Sequence, residues 1–297
     1  MELAITGASG FVGTNLTKYL KVSHIISQLK IRFLVNQKLN INADAIIHLA
    51  GKVHDLKNVS SSAAYYEDNY ELTKQLFDSF LVSKAEVFIF MSTVKSVADK
   101  VEDVLTEDSI PNPQTHYGKS KLMAEQYILS HKVPLGKRIY ILRPCMIHGQ
   151  GNKGNLNLLH QLVVKGLPWP LGAFENQRSF LSIENLCFVI KELLENKDIL
   201  SGVYQVADDI TLSTNELVQL LGASLGRKTK IWKINIKLIK FLASIGDKIH
   251  LPLNSERLQK LTENYVVSNA KIVKAIGKPM PIPIQKGLLI TFESFRE

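Results

Sequence analysis

Cysteine is scarce in this 297-residue chain, and its two cysteines, Cys145 and Cys187, stand far apart in the sequence. No C-x-x-C pair occurs, and no pair of histidines lies near either cysteine. The pattern excludes the disulfide framework of a small secreted protein and the ligand spacing of a zinc site. We predict two reduced, partly buried thiols and no metal site.

Long hydrophobic runs are also missing. The apolar stretches, such as residues 87–91, are far shorter than the roughly 20 residues that a membrane span needs. The amino terminus lacks the basic lead and apolar core of a secretory leader. These features predict a cytoplasmic protein without a membrane span.

Acidic residues are outnumbered, because 27 Asp and Glu face 36 Lys and Arg, which gives a net charge of +9. A basic chain suits a polyanion or a phosphate-bearing ligand. No continuous basic block occurs, and the lysines between residues 228 and 240 are spaced among apolar residues, as on the solvated edge of a helix or strand. We therefore expect no nucleic-acid partner.

Apolar runs alternate with helical patterns through the first half of the chain. Predicted strands occupy residues 2–6, 24–29, 45–49, 87–91 and 138–142, and predicted helices occupy residues 11–22, 63–82 and 117–129. This alternation predicts an α/β fold, namely a Rossmann-type doubly wound parallel sheet with helices on both faces.

The alternation ends near residue 150, where glycine and proline become frequent. Ser182 can cap a helix that runs to about residue 196, and residues 203–206 predict one more strand. Ser213 and Glu216 have the spacing of a capping box for a later helix. A short strand is expected near residues 230–234.

Two interleaved domains follow from this order. The domain that contains the sheet is predicted over residues 1–150, with a return segment at about 180–208. A smaller, mostly helical domain is predicted from residues 151–180 and 209–297.

Three glycines, Gly7, Gly10 and Gly13, follow the first predicted strand at an even spacing. Glycine tolerates positive φ and lets another group approach the backbone closely. Where a strand turns into a helix, the unpaired N–H groups and the positive end of the helix favour a pyrophosphate. The G-x-x-G-x-x-G pattern is weak alone, but its place after the first strand predicts dinucleotide binding.

The second predicted strand is not followed by an acidic residue that would hold the adenosine ribose hydroxyls. Lys30 and Arg32 stand there instead. Basic side chains at this place suit the 2′-phosphate of NADP, but two ordinary surface charges explain them as well. The cofactor is therefore predicted as NAD or NADP, without a choice between them.

Tyr117 and Lys121 are four residues apart on one predicted helix and share a face. A free tyrosine has a pKa of about 10, and a nearby lysine cation favours its ionised form, so the pair can carry a proton. Tyr70 and Lys74 have the same spacing. Only Tyr117 follows a central strand whose carboxyl end, near Thr93, lies at the edge where such sheets bind ligands.

Six motifs run through most of the chain: GASGFVG at residues 7–13, HLAG at 48–51, STV at 92–94, YGKSK at 117–121, LRP at 142–144 and QRSFLSIENL at 177–186. Together they resemble the extended short-chain dehydrogenase/reductase superfamily, and within it the NAD-dependent epimerase/dehydratase family of nucleotide-sugar 4-epimerases and 4-ketoreductases. The resemblance implies that Tyr117 is the catalytic acid/base, that Lys121 binds the nicotinamide ribose, and that Thr93 hydrogen-bonds the sugar oxygen at C4.

The resemblance also implies two sets of binding residues. The cofactor set is Gly7, Ser9, Gly10, Phe11, Val12, Gly13, Lys30, Arg32, Leu49, Ala50, Gly51, Asn69, Met91, Ser92, Tyr117, Lys121 and Pro144. The substrate set is Thr93, Lys95, Asn155, Arg178 and Arg257, of which the last three would touch the nucleotide diphosphate. His48 is expected to pack behind the site without acting as a catalyst.

Two departures from the family pattern matter. Val94 and Lys95 stand where the dehydratases of the family carry an Asp-Glu pair, so 4,6-dehydration is not expected. The segment between Gly13 and Ala45 is short and omits part of the usual adenosine-binding region.

The expected function is an NAD(P)-dependent 4-epimerase of a UDP-hexose or UDP-N-acetylhexosamine, which removes and returns a hydride at C4. One alternative is an NADPH-dependent 4-ketoreductase of a UDP-4-keto-6-deoxyhexosamine. Another is a non-catalytic NADP sensor, although a sensor has no need of Thr93, Tyr117 and Lys121. The predicted partner is a UDP-sugar, and a homodimer is compatible with the sequence.

Overall fold

The computed structural model describes residues 1–35, 39–53, 62–152, 155–249 and 254–295. The strands in these ranges are β1 Glu2–Thr6, β2 Ile25–Leu29, β3 Ala45–His48, β4 Val87–Met91, β5 Val104–Leu105, β6 Arg138–Pro144, β7 Met146–His148, β8 Phe180–Ser182, β9 Gly202–Val206 and β10 Val266–Val267. The α-helices are α1 Phe11–Leu20, α2 Ser62–Tyr66, α3 Leu72–Val82, α4 His116–Leu129, α5 Asn155–Val164, α6 Ile183–Glu195, α7 Thr214–Ser224, α8 Ile236–Ile249, α9 Ser255–Thr262, α10 Ala270–Ile276 and α11 Ile284–Glu293. A π-helix spans Glu67–Glu71, and a 3₁₀ helix spans Val94–Ser96.

Six strands form a parallel sheet in the order β2-β1-β3-β4-β6-β9, which confirms the predicted doubly wound fold. The order reverses at β1, since β2 pairs on one side of it and β3 on the other. Ligands of such sheets bind outside the carboxyl ends of the strands at this reversal. The described residues between β2 and β3 form no further strand, in keeping with the short segment seen in the sequence.

Strand side chains alternate between two hydrophobic clusters, one on each face of the sheet. Leu3 and Ile5 pack with residues of α1 and α6, whereas Ala4 between them packs with residues of α3 and α4. All five residues of β4 are buried, as expected for a parallel strand covered on both faces. The two layers of helices therefore hold the carboxyl edge of the sheet in place.

A third hydrophobic cluster lies in the smaller part of the molecule. It joins α5, α7, α8, α9 and α11 through Leu159, Leu217, Ile239, Leu258 and Leu288. Residues of β10 and α10, among them Val267 and Ile272, pack with the first cluster instead. The clusters support two interleaved units, and the exact domain boundaries stay a prediction.

The predicted helix over residues 63–82 is wrong in one respect, because the π-helix interrupts it. The interruption contains Asn69, which is fully buried and hydrogen-bonded to neighbouring elements through its side chain. A π-helical turn inserts an extra residue, which local periodicity does not reveal.

The strand predicted near residues 230–234 is also wrong. Only isolated bridges form there, between Trp169 and Ile231 and between Leu171 and Lys233. Pro170 separates the two bridges and has no N–H to donate, so no continuous ladder develops.

Other local predictions are confirmed with small changes of boundary. Ser182 caps α6 by accepting a 3.1 Å hydrogen bond from the Asn185 N–H, and Ser213 with Glu216 forms the capping box of α7. Cys145 and Cys187 are free thiols, and both are fully rather than partly buried because they pack in the first cluster. Among the described helices, none has both the length and the apolar character to cross a membrane.

Candidate active site

The turn after β1 requires glycine at two of its three glycine positions. Gly7 has φ of +67°, and a Cβ on it would lie 2.7 Å from the backbone nitrogen of Ala50. A Cβ on Gly13 would lie 2.6 Å from Cα of Ala8, so the first turn of α1 packs tightly on the loop. Gly10 is the N-cap of α1 and has no side chain to bond the N–H groups of the first turn. The start of α1 is thus built to meet an anion with backbone N–H groups.

The predicted cofactor residues of this turn lie around that helix start. Ser9 and Gly10 are exposed, while Phe11 and Val12 are half-buried and pack against the first cluster. The loop after β3 forms the opposite wall, where the Ala50 N–H donates a 3.1 Å hydrogen bond to Oγ1 of Thr6. These contacts place the two loops on either side of the reversal point of the sheet.

Gly51, Asn69 and Lys121 meet at the end of that loop. A Cβ on Gly51 would lie 2.6 Å from Oδ1 of Asn69 and 3.0 Å from Nζ of Lys121. The Asn69 side chain accepts from the Lys52 N–H at 2.8 Å and donates to Oγ of Ser120 at 3.0 Å. The loop after β3 is therefore tied to the helix that carries Tyr117 and Lys121.

Thr93 and Tyr117 are brought together at the carboxyl end of β4. Thr93 is the N-cap of the 3₁₀ helix and is buried, and its side chain lies near the phenol of Tyr117. Burial raises the pKa of the Tyr117 phenol to about 12, and the neighbouring Thr93 side chain opposes this rise. The phenol is therefore protonated until a further positive charge or a ligand changes its surroundings.

Lys121 lies one helical turn after Tyr117 and is buried. Its Nζ donates a 2.8 Å hydrogen bond to the carbonyl oxygen of Met91 and stands 4.7 Å from the ring centre of Phe90. Burial lowers the pKa of this amine to about 8, while the Glu125 carboxylate favours its charged form.

A buried ionic cluster beneath Lys121 was not foreseen as part of the site. Glu125 pairs with Arg143, with Oε2 2.5 Å from Nη2, and accepts hydrogen bonds from the hydroxyls of Ser92 and Ser96. Ser92 is predicted to bind the cofactor, and its hydroxyl donates a hydrogen bond to Glu125. The spacing of Tyr117, Lys121 and Glu125, four residues each, was the signal available in the sequence.

His48 packs behind the site, as expected, and connects three elements. Its Nδ1 lies 2.7 Å from Oγ1 of Thr6, and its Nε2 lies 2.9 Å from Oγ1 of Thr73. The Thr73 hydroxyl donates to the carbonyl oxygen of Asn69 at 2.7 Å. Burial lowers the pKa of the imidazole to about 3, so the ring is neutral and links β1, β3 and α3.

The remaining predicted cofactor residues lie at the same edge of the sheet. Leu29 ends β2 in register with Thr6, so Lys30 and the exposed Arg32 follow directly beside the glycine turn. Leu49 is half-buried on the loop after β3. Pro144 is the buried last residue of β6, in register with Val206 of β9.

The predicted substrate residues fall into two groups. Lys95 stands 4.2 Å from the ring centre of Tyr265 and donates a 2.8 Å hydrogen bond to the carbonyl oxygen of Asp99. Burial lowers the pKa of Lys95, the carboxylates of Glu263 and Asp99 oppose this shift, and the positive charges of Arg178 and Lys260 add to it as smaller causes. Charges of both signs therefore surround Lys95.

Of the two predicted arginines, Arg178 contacts α9 and Arg257 is part of it. The Arg178 guanidinium donates a hydrogen bond to the carbonyl oxygen of Lys260, and burial lowers its pKa. Arg257 is exposed, one turn earlier on the same helix. Asn155 is the first residue of α5, and its side chain lies outside the described part of the structure.

Comparison with known proteins gives a consistent result. Residues 3–207 match the model of the NAD dependent epimerase/dehydratase family. A UDP-glucose 4-epimerase of Vibrio cholerae is 28% identical over 99% of this chain and 95% of that protein. An N-acetyl-alpha-D-glucosaminyl-diphospho-ditrans,octacis-undecaprenol 4-epimerase of Escherichia coli O157:H7 is 29% identical over 76% of this chain and 73% of that protein. The crystal structure of a UDP-glucuronic acid 4-epimerase from Bacillus cereus with NAD superposes with a TM-score of 0.74 at 19% identity, over 100% of this chain and 99% of that one, and shows the same fold.

Proposed function

Because the chain belongs to the NAD-dependent epimerase/dehydratase family, we propose that it is an NAD(P)-dependent UDP-sugar 4-epimerase that inverts C4 of a UDP-hexose or UDP-N-acetylhexosamine. The observation that carries the proposal is that the side chains of Thr93 and Tyr117 lie together at the carboxyl edge of the sheet, with Lys121 one helical turn away. The 4-epimerase relatives of Vibrio cholerae and Escherichia coli support this choice of reaction.

Tyr117 moves the proton in this proposal. Oxidation at C4 requires a base that takes the hydroxyl proton, and the return step requires the same group as an acid. Lowering the phenol pKa from about 12 to neutral pH corresponds to roughly 7 kcal/mol, which must come from positive charge near the oxygen. Lys121 supplies part of that charge from the same helix face, and Thr93 holds the phenol oxygen toward the substrate.

The residues around the glycine turn fit the dinucleotide. Gly7 and Gly13 form a cradle that a Cβ would fill, and the start of α1 offers N–H groups to the pyrophosphate. Lys121, beside Gly51, would hold the nicotinamide ribose. The bound nicotinamide supplies a hydride acceptor and donor at C4, together with the positive charge of its oxidised ring.

Positive side chains beyond Thr93 support a diphosphate-bearing substrate. The charge of Arg178 acts on Lys95, and Arg257 is on the helix whose Lys260 carbonyl accepts from Arg178. We assign Arg178 and Arg257 to the diphosphate, with Asn155 as the third member. Val94, buried directly after Thr93, leaves no carboxylate for the proton transfers of 4,6-dehydration.

A 4-ketoreductase is the second candidate, because it uses the same Thr93, Tyr117 and Lys121. Lys30 and Arg32 favour it, since they follow β2 where the 2′-phosphate of NADPH would lie. The two reactions differ in whether the cofactor leaves. An epimerase keeps its reduced cofactor until the hydride returns, whereas a reductase exchanges it in every cycle.

One mixing experiment separates the candidates. The protein is combined with UDP-GlcNAc, UDP-GalNAc or a UDP-4-keto-6-deoxy sugar, the nicotinamide absorbance is followed, and the sugars are identified by NMR. Interconversion of the two 4-hydroxy sugars without net NADH or NADPH change is the expected result. Stoichiometric NADPH loss with the keto sugar alone would establish the reductase instead. The predicted homodimer and cytoplasmic location stay predictions.

A further inference from the structure

Helix α8 has an apolar stripe that faces solvent. Leu238, Phe241 and Leu242 are exposed by 50%, 61% and 45%. Ile245 is half-buried and continues the spacing of three, four and seven residues, so the four side chains share one face. Ile239 and Ala243 form a different face, which is buried in the core of the smaller domain. The helix is therefore anchored on one side and presents a second apolar side outward.

Most of the excess positive charge of the protein lies on and before this helix. Residues 227–248 contain seven lysines and arginines against one acidic residue, Asp247, which leaves six of the net +9 charges of the chain. Lys237, Lys240 and Lys248 are exposed on α8, and Lys237 and Lys248 border the stripe beside Phe241. The Asp247 carboxylate accepts hydrogen bonds from the backbone and hydroxyl of Ser255, at 2.9 and 2.6 Å.

We propose that this surface docks on an anionic lipid bilayer. The surface, called the α8 face below, consists of the stripe Leu238, Phe241, Leu242 and Ile245 with the bordering lysines Lys237 and Lys248. An amphipathic helix with lysines beside its apolar side lies flat in the bilayer interface, with the apolar groups at the acyl boundary and the ammonium groups at the lipid phosphates. With 14 residues, α8 has the length of about 21 Å that suits such a flat orientation.

The combination of positive charge and apolar surface favours a bilayer over a second copy of the chain or a nucleic acid as the partner of the α8 face. A second copy placed stripe to stripe about a twofold axis would bring the lysines of one α8 face near those of the other, which is unfavourable. A nucleic acid would pair with the lysines but leave the apolar stripe in water. An anionic bilayer accepts both the apolar and the basic parts.

Helix α8 is next to a helix that carries part of the proposed substrate site. Helix α8 packs on α9, and α9 carries Arg257 and the Lys260 carbonyl that accepts from Arg178. Docking would bring that side of the protein to the lipid surface. The inference does not depend on the proposed reaction, because lipid binding is measured without turnover.

Vesicle co-sedimentation of the full chain tests the proposal. Vesicles of equal parts phosphatidylglycerol and phosphatidylcholine should bind the protein, whereas vesicles of phosphatidylcholine alone should bind it much more weakly. The double substitution Leu238→Ser with Phe241→Ser should reduce binding by roughly tenfold or more, since it removes two large apolar groups. The matched control is Ile110→Ser with Leu135→Ser, which removes two exposed apolar side chains elsewhere.

Charge substitutions give an independent measurement if the serine variant loses its circular dichroism spectrum. Lys237→Gln with Lys248→Gln should weaken binding at low salt by roughly fivefold for each lysine, compared with Lys84→Gln and Lys197→Gln on other surfaces. Failure of the wild type to bind the anionic vesicles overturns the proposal, as does equal binding by α8-face and control variants. A dimer that the α8-face substitutions convert to a monomer, without any change in vesicle binding, would identify a second copy as the occupant.

Discussion

The Nζ of Lys121 donates a 2.8 Å hydrogen bond to the carbonyl oxygen of Met91, the last residue of β4. This contact ties α4 to the strand whose end begins the Thr93 turn. Lys121 therefore fixes the distance between the helix that carries Tyr117 and the loop that carries Thr93. The same contact holds the amine in a buried position, where its charge is costly.

Replacing Lys121 by methionine should change how stability depends on pH in the cofactor-free protein. The pKa of Lys121 is about 8 in the folded protein and about 10.5 in the unfolded chain. Between these values the unfolded chain binds a proton that the folded protein has released, so the wild type gains stability as the pH rises. The full gain is about 3 kcal/mol, of which about 2 kcal/mol should appear between pH 8 and pH 10 as a change in the difference in unfolding free energy between wild type and Lys121→Met, measured by urea unfolding.

The control for this measurement is Lys119→Met, an exposed lysine on the same helix. If the difference in unfolding free energy between wild type and Lys121→Met stays constant with pH, burial does not lower the pKa of this amine.

Replacing Tyr117 by phenylalanine should lower kcat by about 10² to 10⁴, since the change removes the proton-transfer oxygen. Dinucleotide affinity, followed by fluorescence titration, should change little. Tyr70→Phe is the matched control, because Tyr70 has the same spacing to a lysine and packs edge-on against Tyr127 in the π-helix region. Similar activity in the Tyr117 and Tyr70 variants would remove Tyr117 from the mechanism.

The substitution Gly10→Ala should leave the fold intact and weaken dinucleotide binding. A Cβ there meets only the Gly7 carbonyl oxygen, at 3.3 Å, so the expected loss of unfolding free energy is about 1 kcal/mol or less. The same methyl group would stand where the pyrophosphate approaches the start of α1, and NAD affinity should fall at least tenfold by calorimetry.

Gly13→Ala and Gly202→Ala are the two controls for the Gly10→Ala measurement. Gly13→Ala should destabilise the protein itself, because the added Cβ collides with the Ala8 backbone, whereas Gly202→Ala should affect neither property. Full NAD affinity in Gly10→Ala would place the pyrophosphate elsewhere.

Replacing Arg178 by alanine should weaken UDP binding by roughly tenfold to a hundredfold, the range for loss of one hydrogen bond to a charged group. NAD binding should stay within twofold to threefold, since Arg178 lies beyond Thr93 on the substrate side. Both ligands are titrated separately by calorimetry.

Arg227→Ala is a close control, because Arg227 donates a 2.7 Å hydrogen bond to the Val164 carbonyl oxygen in the same domain. If Arg178→Ala weakens both ligands equally, its bond to the Lys260 carbonyl is structural and the assignment to the diphosphate fails.

Much of the fold and the location of the candidate site follow from local features of the sequence. Alternating apolar runs and helical patterns predict a parallel sheet, and parallel strands necessarily bring their carboxyl ends to one edge. The glycine turn, Thr93 and the Tyr117 pair all follow strand ends, so the amino-acid sequence alone predicts that they approach one another. Capping patterns such as Ser213 with Glu216 act within one turn and are predictable for the same reason.

Only the tertiary structure showed which partner each buried polar group has. Glu125 and Arg143 are 18 residues apart on different elements, and His48 joins Thr6 to Thr73 across two strands and a helix. Burial makes each such group find a partner, but the sequence does not say which one. The π-helix around Asn69 was unpredictable for the same reason, since the Asn69 side chain bonds to Lys52 and Ser120, which are distant in the sequence.

For helix α8 too, the sequence determines some surface properties and tertiary packing determines others. Its sequence determines that it is amphipathic and basic, because the spacing of leucine, phenylalanine and lysine is local. Packing against α9 and the core then buries Ile239 and Ala243 and leaves Leu238 and Phe241 in water. One helical sequence offers two apolar faces, and only the neighbours of the helix in three dimensions decide which face is covered.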